Sequence, residues 1–278
     1  MPDSPPSPMV EFEAVSLRFE DTWALHDVSF KLHAGQTHVI LGAAGSGKTT
    51  LLKAVIGLVR VDRGSVKLFG EDITAMSEHD LYPLRGRTGV LFQEGGLFDS
   101  LQVGDNVEYP LLNRQIGEHN NKTDSSSAET QAREALRFVE LEQTFDKFPS
   151  EVSGGMRRRV GIARAIVTEP PLVLYDSPTA GLDPITANTI MALILKERDV
   201  RNTASLIVTH RYQDGELMAD FRYDPERQEL VRLPQDGGSR HRTRFIVMKQ
   251  GEIVFFGTRD ELAASSDQYV KRFVRHEE

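Results

Sequence analysis

The residues best suited to bind phosphate form a glycine-rich stretch, Gly42-Ala43-Ala44-Gly45-Ser46-Gly47-Lys48-Thr49. It fits the pattern G-x-x-x-x-G-K-[ST], with an apolar run before it that predicts a strand and a helical pattern after it. Backbone N–H groups of such a loop surround phosphate oxygens, and the following helix adds its dipole. We therefore expect Lys48 to reach the terminal phosphates of a nucleotide and the Thr49 hydroxyl to bind Mg²⁺.

A carboxylate ends a second apolar run, Leu172-Val173-Leu174-Tyr175-Asp176. If this run is a buried strand, the Asp176 side chain emerges beside the phosphate loop and can hold Mg²⁺ directly or through water. A helix cap or a turn is the ordinary alternative for a single aspartate at a strand end. The next residue is Ser177, whose hydroxyl can orient water but is a poor proton acceptor near neutral pH.

A third element able to bind phosphate is the run Val152-Ser153-Gly154-Gly155-Met156. A serine hydroxyl and two glycine amides can approach a phosphate closely and donate hydrogen bonds to it. This run lies about 100 residues after the phosphate loop and heads its own predicted helix, so it can complete a site in a second subunit. Two head-to-tail copies would then enclose two nucleotides with two-fold symmetry.

The elements that must position these groups indicate an α/β core with an inserted helical subdomain. Strands are predicted around Val10, Phe12 and Ala14, which alternate toward the core, and over 24–32, 38–41, 64–70, 88–92, 172–176, 205–209, 245–248 and 253–256. Residues 48–58 predict a helix, and residues 97–168 look helical around a polar loop at about 113–130. The run Asp224-Pro225-Glu226-Arg227 predicts the turn of a small hairpin.

The same patterns divide the chain into regions. Residues 1–8 are rich in proline and serine and predict a disordered tail, and residues 9–257 form the nucleotide-binding domain. Its helical subdomain lies at about 97–168, and residues 258–278 form a C-terminal helical extension. The polar segment at about 221–242 is either a partner contact or a tolerated surface insertion.

The ordered set of motifs resembles the ATP-binding-cassette (ABC) ATPases. The matching elements span nearly the whole chain: residues 42–49, Gln93, residues 152–156, Asp176, the run Ala180-Gly181-Leu182-Asp183, and His210. The resemblance implies a P-loop NTPase (RecA-like) α/β core, an N-terminal antiparallel β-subdomain and an inserted α-helical subdomain. It also implies ATP and Mg²⁺ as cofactors, a homodimer with nucleotide at its interface, and a transmembrane permease as partner.

The resemblance assigns roles residue by residue. ATP would be bound by Gly42, Ala43, Ala44, Gly45, Ser46, Gly47, Lys48, Thr49 and Thr50, with Ser153, Gly154, Gly155 and Asp183 acting across the dimer interface. The metal would be held by Thr49, Gln93 and Asp176, and the reacting phosphate would be served by Lys48, Gln93, Ser177 and His210. Phe19 aligns with the aromatic that stacks on adenine; an ordinary strand-end aromatic is the alternative, and Trp23 is a second candidate.

Ser177 departs from the family pattern, since most ABC ATPases have a catalytic glutamate there. Loss of a general base typically slows a reaction about 10²–10⁴-fold. Two readings therefore remain open: a transport ATPase with slow hydrolysis, or a non-hydrolysing ATP-gated assembly module of a membrane complex. Glu94, next to Gln93, is a candidate for supplying a carboxylate from another direction.

A narrower resemblance is to the ATPases of Mla/Mce-type lipid transporters. It rests on the run Gly89 to Leu101, on Met156 in Ser153-Gly154-Gly155-Met156-Arg157-Arg158-Arg159-Val160, and on the tail from Ser265 to Phe273. This resemblance implies lipid transport, with an Mce-domain lipid-binding protein reached through the permease.

Composition limits the other possibilities. The formal net charge of −8 over 278 residues argues against nucleic acid as a partner, because such binding depends on cationic contacts to phosphates. An ABC protein acting on translation or DNA is disfavoured for the same reason. There is no cysteine, and no run approaches the roughly 20 apolar residues that span a bilayer. We expect a cytoplasmic protein that is peripheral on the inner face of the cell membrane.

Overall fold

The computed structural model describes residues 7–113, 125–234 and 242–274, apart from the side chains of Glu94 and Ser125. The strands are β1 (Val10–Phe19), β2 (Thr22–Leu32), β3 (Thr37–Gly42), β4 (Arg63–Leu68), β5 (Glu71–Asp72), β6 (Thr88–Leu91), β7 (Leu172–Asp176), β8 (Ala204–Val208), β9 (Phe221–Asp224), β10 (Glu229–Arg232), β11 (Thr243–Lys249) and β12 (Glu252–Gly257). The helices are α1 (Lys48–Val55), α2 (Glu78–Gly86), α3 (Val103–Asn113), α4 (Ser125–Phe138), α5 (Gly154–Ile166), α6 (Pro184–Arg201), α7 (Tyr212–Asp220), α8 (Arg259–Ala264) and α9 (Gln268–Val274).

The central sheet has the order β12-β11-β3-β8-β7-β6. Neighbouring strands from β11 to β6 run parallel, and β12 is antiparallel to β11. In β7, Leu172 and Leu174 face one core while Val173 and Tyr175 face the other, because successive side chains of a strand point to opposite faces. Burial on both faces explains why the predicted strands read as continuous apolar runs. Because β3 and β7 run in the same direction, the phosphate loop after β3 and Asp176 at the end of β7 lie at the same edge of the sheet.

A second, antiparallel sheet has the order β2-β1-β4-β5 and packs over α1, as the predicted N-terminal β-subdomain requires. The prediction that Ala14 faces the core is wrong. Ala14 has a φ of 50° and is exposed, and the pairing with β2 shifts register between Phe12 and Val15. This bulge turns Val15 and Leu17 inward instead.

The helical subdomain consists of α3, α4 and α5, whose apolar faces share one core with β6 and β7. The predicted polar loop at 113–130 is partly wrong, because residues 125–130 already belong to α4, which continues to Phe138. The rest of that loop, residues 114–124, lies outside the described residues. Helix α2 was not predicted; Ser77 caps its N-terminus by accepting a hydrogen bond from the Asp80 amide.

Smaller differences concern the ends of elements. Helix α1 ends at Val55 rather than at 58, because Gly57 adopts a φ of 65° and the Leu58 amide bonds back to the Lys53 carbonyl. The hairpin predicted at 224–227 is present as β9 and β10. Helices α8 and α9 occupy the predicted C-terminal extension, while its residues 275–278 and residues 1–6 of the predicted tail are outside the described residues. Within the described ranges, no helix has the length and apolar character needed to cross a membrane.

Candidate nucleotide-binding site

The phosphate loop connects β3 to α1. Lys48 is only 5% exposed, and its Nζ donates to the carbonyls of Gly42 and Ala43, both at 2.8 Å. Gly47 needs to be glycine, since its φ is 102° and a Cβ there would lie 2.2 Å from the Ala24 carbonyl oxygen. Strand β2 therefore lies so close to the loop that its backbone forms one wall of the site.

Most of the predicted site residues line one open cleft of about 390 Å³. The predicted residues in its wall are Phe19, Ala44, Gly45, Ser46, Gly47, Lys48, Thr49, Thr50, Gln93, Asp176, Ser177 and His210. Thr22, Trp23, Ala24 and Val208 also line it. Of these, Trp23 was a candidate from its aromatic ring, whereas nothing in the sequence singled out the other three. The cleft unites residues from five segments of the chain at one edge of the central sheet.

Burial lowers the pKa of two basic side chains in the cleft. Burial lowers the pKa of the Lys48 amine, while the nearby Asp176 carboxylate opposes this shift. Burial also lowers the pKa of His210, and the positive charge of Lys48 adds to that effect. A hydrogen bond with the Gly42 backbone and the charge of Asp176 act in the opposite direction. A lowered pKa makes His210 a neutral imidazole near pH 7, able to exchange hydrogen bonds with a phosphate or water.

Ser177 occupies a strained position at the end of β7. Its φ is 53°, in the left-handed region, and its amide donates to the Val208 carbonyl at 2.9 Å. Its hydroxyl donates to Oδ1 of Asp176 at 3.1 Å. In this arrangement the Ser177 hydroxyl hydrogen is therefore bonded to the Asp176 carboxylate. The side chain of Glu94, the candidate replacement carboxylate, lies outside the described residues.

The donor set suits Mg²⁺. The Thr49 hydroxyl, the Asp176 carboxylate and the Gln93 amide share the wall of the cleft, and all offer hard oxygen atoms. Mg²⁺ is usually held by one or two carboxylates together with substrate phosphates and water. The residues present therefore fit a magnesium–nucleotide complex.

Two aromatic residues line the cleft. Phe19 ends β1 and is 54% exposed, so its ring is available for stacking. Trp23 is partly buried, and the guanidinium of Arg18 lies 5.6 Å from its ring centroid. Both rings line the cleft, so either one is placed to stack on a base bound there.

Six predicted residues do not line this cleft: Gly42 and Ala43, which begin the phosphate loop, and Ser153, Gly154, Gly155 and Asp183, which belong to other segments. Ser153 caps α5 by accepting from the Met156 amide at 3.2 Å, which leaves its hydroxyl hydrogen free to donate elsewhere. Asp183 caps α6, and the hydrogen bond from the Thr186 hydroxyl is the main cause of its lowered pKa. A Cβ on Gly155 would lie 2.8 Å from Cγ2 of Thr186. The N-terminal ends of α5 and α6 are therefore neighbours.

A buried polar network behind the cleft was missed by the sequence reasoning. Asp214, 1% exposed, accepts hydrogen bonds from the hydroxyls of Thr179 at 2.5 Å and Thr209 at 2.6 Å. Its burial raises the pKa of its carboxyl, against the opposing effect of both threonines. On the other side of the same turn, Arg158 donates to the carbonyls of Ser177 and Ala180. No local pattern signals the contacts of Asp214 with Thr179 or of Arg158 with the turn, because these partners lie 35, 19 and 22 residues apart.

The C-terminal helix also reaches the phosphate loop. The Tyr269 hydroxyl donates to the Met248 carbonyl at 3.1 Å and accepts from the Ala43 amide at 3.3 Å. It thereby joins α9, the end of β11 and the beginning of the loop.

The fold and the cleft together define a P-loop nucleotide-binding cassette with a helical subdomain. A family model described as "ABC transporter" matches residues 25–180. The chain is 34% identical over 265 residues to mkl of Mycobacterium leprae, named for ribonucleotide transport, covering 95% of this chain and 68% of that protein. It is 29% identical over 269 residues to MlaF of Haemophilus influenzae, named an intermembrane phospholipid transport system ATP-binding protein, covering 97% and 91%.

Solved structures agree with this relationship. The dimeric post-hydrolysis state of the ATP-binding cassette MJ0796, bound to ADP and Pi, matches with a TM-score of 0.74 and 26% identity, covering 90% of this chain and 98% of that one. The chain belongs to the ABC transporter family, as an ATP-binding subunit of the ABC ATPase class. The ABC family and the fold class that the motifs predicted are thereby confirmed.

Proposed function

We propose that this chain works as a head-to-tail homodimer in which ATP binding closes, and slow hydrolysis opens, a clamp that drives a lipid-transporting membrane permease. The observation that carries the proposal is the division of the predicted residues between two surfaces. The phosphate loop, Asp176 and His210 share the cleft, whereas Ser153 and Asp183 lie exposed outside it. A second copy is needed to bring both sets to one nucleotide.

The exposed surface near Asp183 supports an interface between subunits. Ile185, on the first turn of α6 next to the Asp183 cap, is 80% exposed and is therefore accessible to a second subunit. The Ser153 hydroxyl and the amides at the start of α5 would meet the γ-phosphate held by the partner, as donors at a helix N-terminus do. ATP then favours the closed dimer by binding it more tightly than the open one.

Within each site, the chain's own residues divide the work. Lys48 and the loop amides hold the phosphates, and bound Mg²⁺ would neutralise charge while held by Thr49 and Asp176. Ser177 can only orient the attacking water, so we expect turnover about 10²–10⁴-fold below that of a cassette with a glutamate there. His210, neutral near pH 7, contacts the terminal phosphate.

A groove beside the helical subdomain supports a permease contact. It has a volume of about 680 Å³ and lies between α2, β6, α3 and α5. Its wall carries the exposed aromatic rings of Tyr82, Phe92, Phe98 and Tyr109. An apolar groove of this kind suits a short amphipathic helix from the permease. Such docking would hold the chain at the inner face of the cell membrane.

The assignment of lipid rests on sequence. The likeness to MlaF extends over 97% of this chain, and the Gln93 region, Met156 and the C-terminal tail carry the features of Mla/Mce-type ATPases. The relative mkl is named for a different cargo. We favour a permease that works with an Mce-domain lipid-binding protein.

A second candidate function follows from Ser177 alone. Without a strong base, the occupied dimer could serve as a non-hydrolysing assembly module that holds a membrane complex together.

The decisive experiment measures phosphate release and ATP-dependent dimerisation by the purified protein with Mg²⁺, for wild type, Lys48→Ala and Ser177→Glu. Turnover that is lost in Lys48→Ala and raised at least tenfold in Ser177→Glu supports the transport ATPase. Dimerisation with no turnover above that of Lys48→Ala supports the assembly module, and absence of both refutes the clamp. Stimulation of the permease-bound ATPase by phospholipid vesicles, but not by ribonucleotides, tests the cargo.

A further inference from the structure

The turn formed by residues 177–182, which follows Asp176, is held by a buried arginine from another segment. Arg158 Nη1 donates to the Ser177 carbonyl at 2.7 Å, and Nη2 donates to the Ala180 carbonyl at 3.2 Å. The side chain is 6% exposed. Burying a guanidinium is costly unless its donors are paired, and the two carbonyls of this turn pair Nη1 and Nη2. This contact specifies the position of the turn relative to α5.

Arg158 stands on the same helix as the Ser153 loop. Ser153 is the N-cap of α5 and Arg158 lies little more than one turn further along, so the two move as one rigid body. The close approach of Gly155 to Thr186 fixes the same helix start against the cap of α6. The loop predicted to reach the partner's nucleotide and the turn that carries Ser177 are thus joined within one subunit.

The far side of the turn is joined to the segment that carries His210. Thr179, within the turn, donates to Asp214, and Asp214 also accepts from Thr209, which directly precedes His210. Asp214 further faces the guanidinium of Arg211, with Nε 3.9 Å from Oδ1. A displacement of α5 would therefore be passed through the turn to both Ser177 and His210.

We propose that Arg158 is a positioning residue that couples the Ser153 loop to the Ser177 turn, so that engaging the partner's nucleotide also places Ser177 and His210 at the subunit's own nucleotide. This inference rests on the proposed ATP-driven dimer. It assigns to Arg158 a positioning role inside one subunit, because the side chain is buried against the turn.

The test compares Arg158→Met with Arg159→Met, which removes the same charge from the next position of α5. Arg159 instead donates to the Val139 carbonyl at 3.2 Å and lies 4.0 Å from a carboxylate oxygen of Glu140. ATP affinity is measured by fluorescence titration at a concentration that keeps the protein monomeric, and dimerisation by sedimentation with ATP and EDTA. Arg158→Lys, whose single ammonium can reach one carbonyl, serves as the conservative variant.

We expect Arg158→Met to keep the monomer's ATP affinity within twofold of wild type while weakening ATP-driven dimerisation at least tenfold. Arg158→Lys should recover part of that loss, and Arg159→Met should change neither quantity by more than twofold. Dimerisation of Arg158→Met equal to wild type would overturn the inference. So would an equal loss of monomer ATP affinity, because that result reports general damage to the fold.

Hydrogen exchange separates this inference from the proposed function. The amides of Ala180 and Leu182 donate to carbonyls within the turn, both at 3.2 Å. In the nucleotide-free protein, their exchange should be at least tenfold faster in Arg158→Met than in wild type, and unchanged in Arg159→Met. If wild type fails to dimerise with ATP, the proposed function fails, and equal exchange rates in wild type and Arg158→Met would then reject the positioning role.

Discussion

Replacing His38 with leucine should make the protein more resistant to acid. His38 lies on β3, four residues before the phosphate loop, and its side chain is fully buried. Neither ring nitrogen has a hydrogen-bond partner within the described part of the chain. Its ring packs against Phe30 and Phe256, at centroid distances of 5.9 and 5.2 Å. Burial, with Arg244 and His33 nearby, lowers its pKa from 6.5 to about 3.

The sign of the effect follows from these two pKa values. Above pH 6.5 the imidazole is neutral in both the folded and the unfolded chain, so it adds no pH dependence. Below that pH the unfolded chain takes up a proton that the folded chain refuses until about pH 3. The free energy of unfolding then falls by about 1.4 kcal/mol per pH unit, which amounts to roughly 2 kcal/mol at pH 5.

The assay is urea unfolding of wild type, His38→Leu and His79→Leu at pH 7.5 and pH 5, followed by circular dichroism. His79 has an 89% exposed side chain and serves as the control. His38→Leu should lose about 2 kcal/mol less than wild type between the two pH values, and His79→Leu should behave as wild type. At pH 7.5 His38→Leu should be at least as stable as wild type, because two unpaired buried polar atoms are removed. Equal acid losses in His38→Leu and wild type would refute the reasoning.

Three further outcomes follow from the site. Asp214→Ala should lower the free energy of unfolding by about 1–3 kcal/mol, because two buried threonine hydroxyls lose their acceptor, with Asp214→Asn closer to wild type in the same urea titration. Phe19→Ala should weaken ATP binding about tenfold by calorimetry through lost stacking on the base; a larger loss in Trp23→Ala would transfer that role to Trp23. Tyr269→Phe should weaken ATP binding a few-fold, since a net hydrogen bond contributes about 1 kcal/mol. The control Tyr223→Phe should leave binding unchanged. ATP affinity of Tyr269→Phe equal to that of wild type would show that the hydroxyl does not support the loop.

Much of the core and of the nucleotide cleft follows from local sequence. The glycine spacing before Lys48 specifies a loop whose amides turn inward, and the apolar runs that end at Leu41 and Asp176 specify buried parallel strands. Parallel strands bring their carboxyl ends to one edge, so Lys48, Asp176 and His210 meet there. Such features are encoded within a few residues, where spacing and side-chain type decide the outcome.

Only the tertiary structure decided how the segments are joined. The bulge at Ala14 depends on the register between β1 and β2, and the periodicity of β1 alone predicts the opposite facing. The contacts of Arg158 with the Ser177 turn, of Asp214 with Thr179, and of Tyr269 with Ala43 link positions 19, 35 and 226 residues apart. An arginine, an aspartate and a tyrosine are ordinary surface residues by type. Their burial and partners are set by the packing of whole elements, which no local pattern contains.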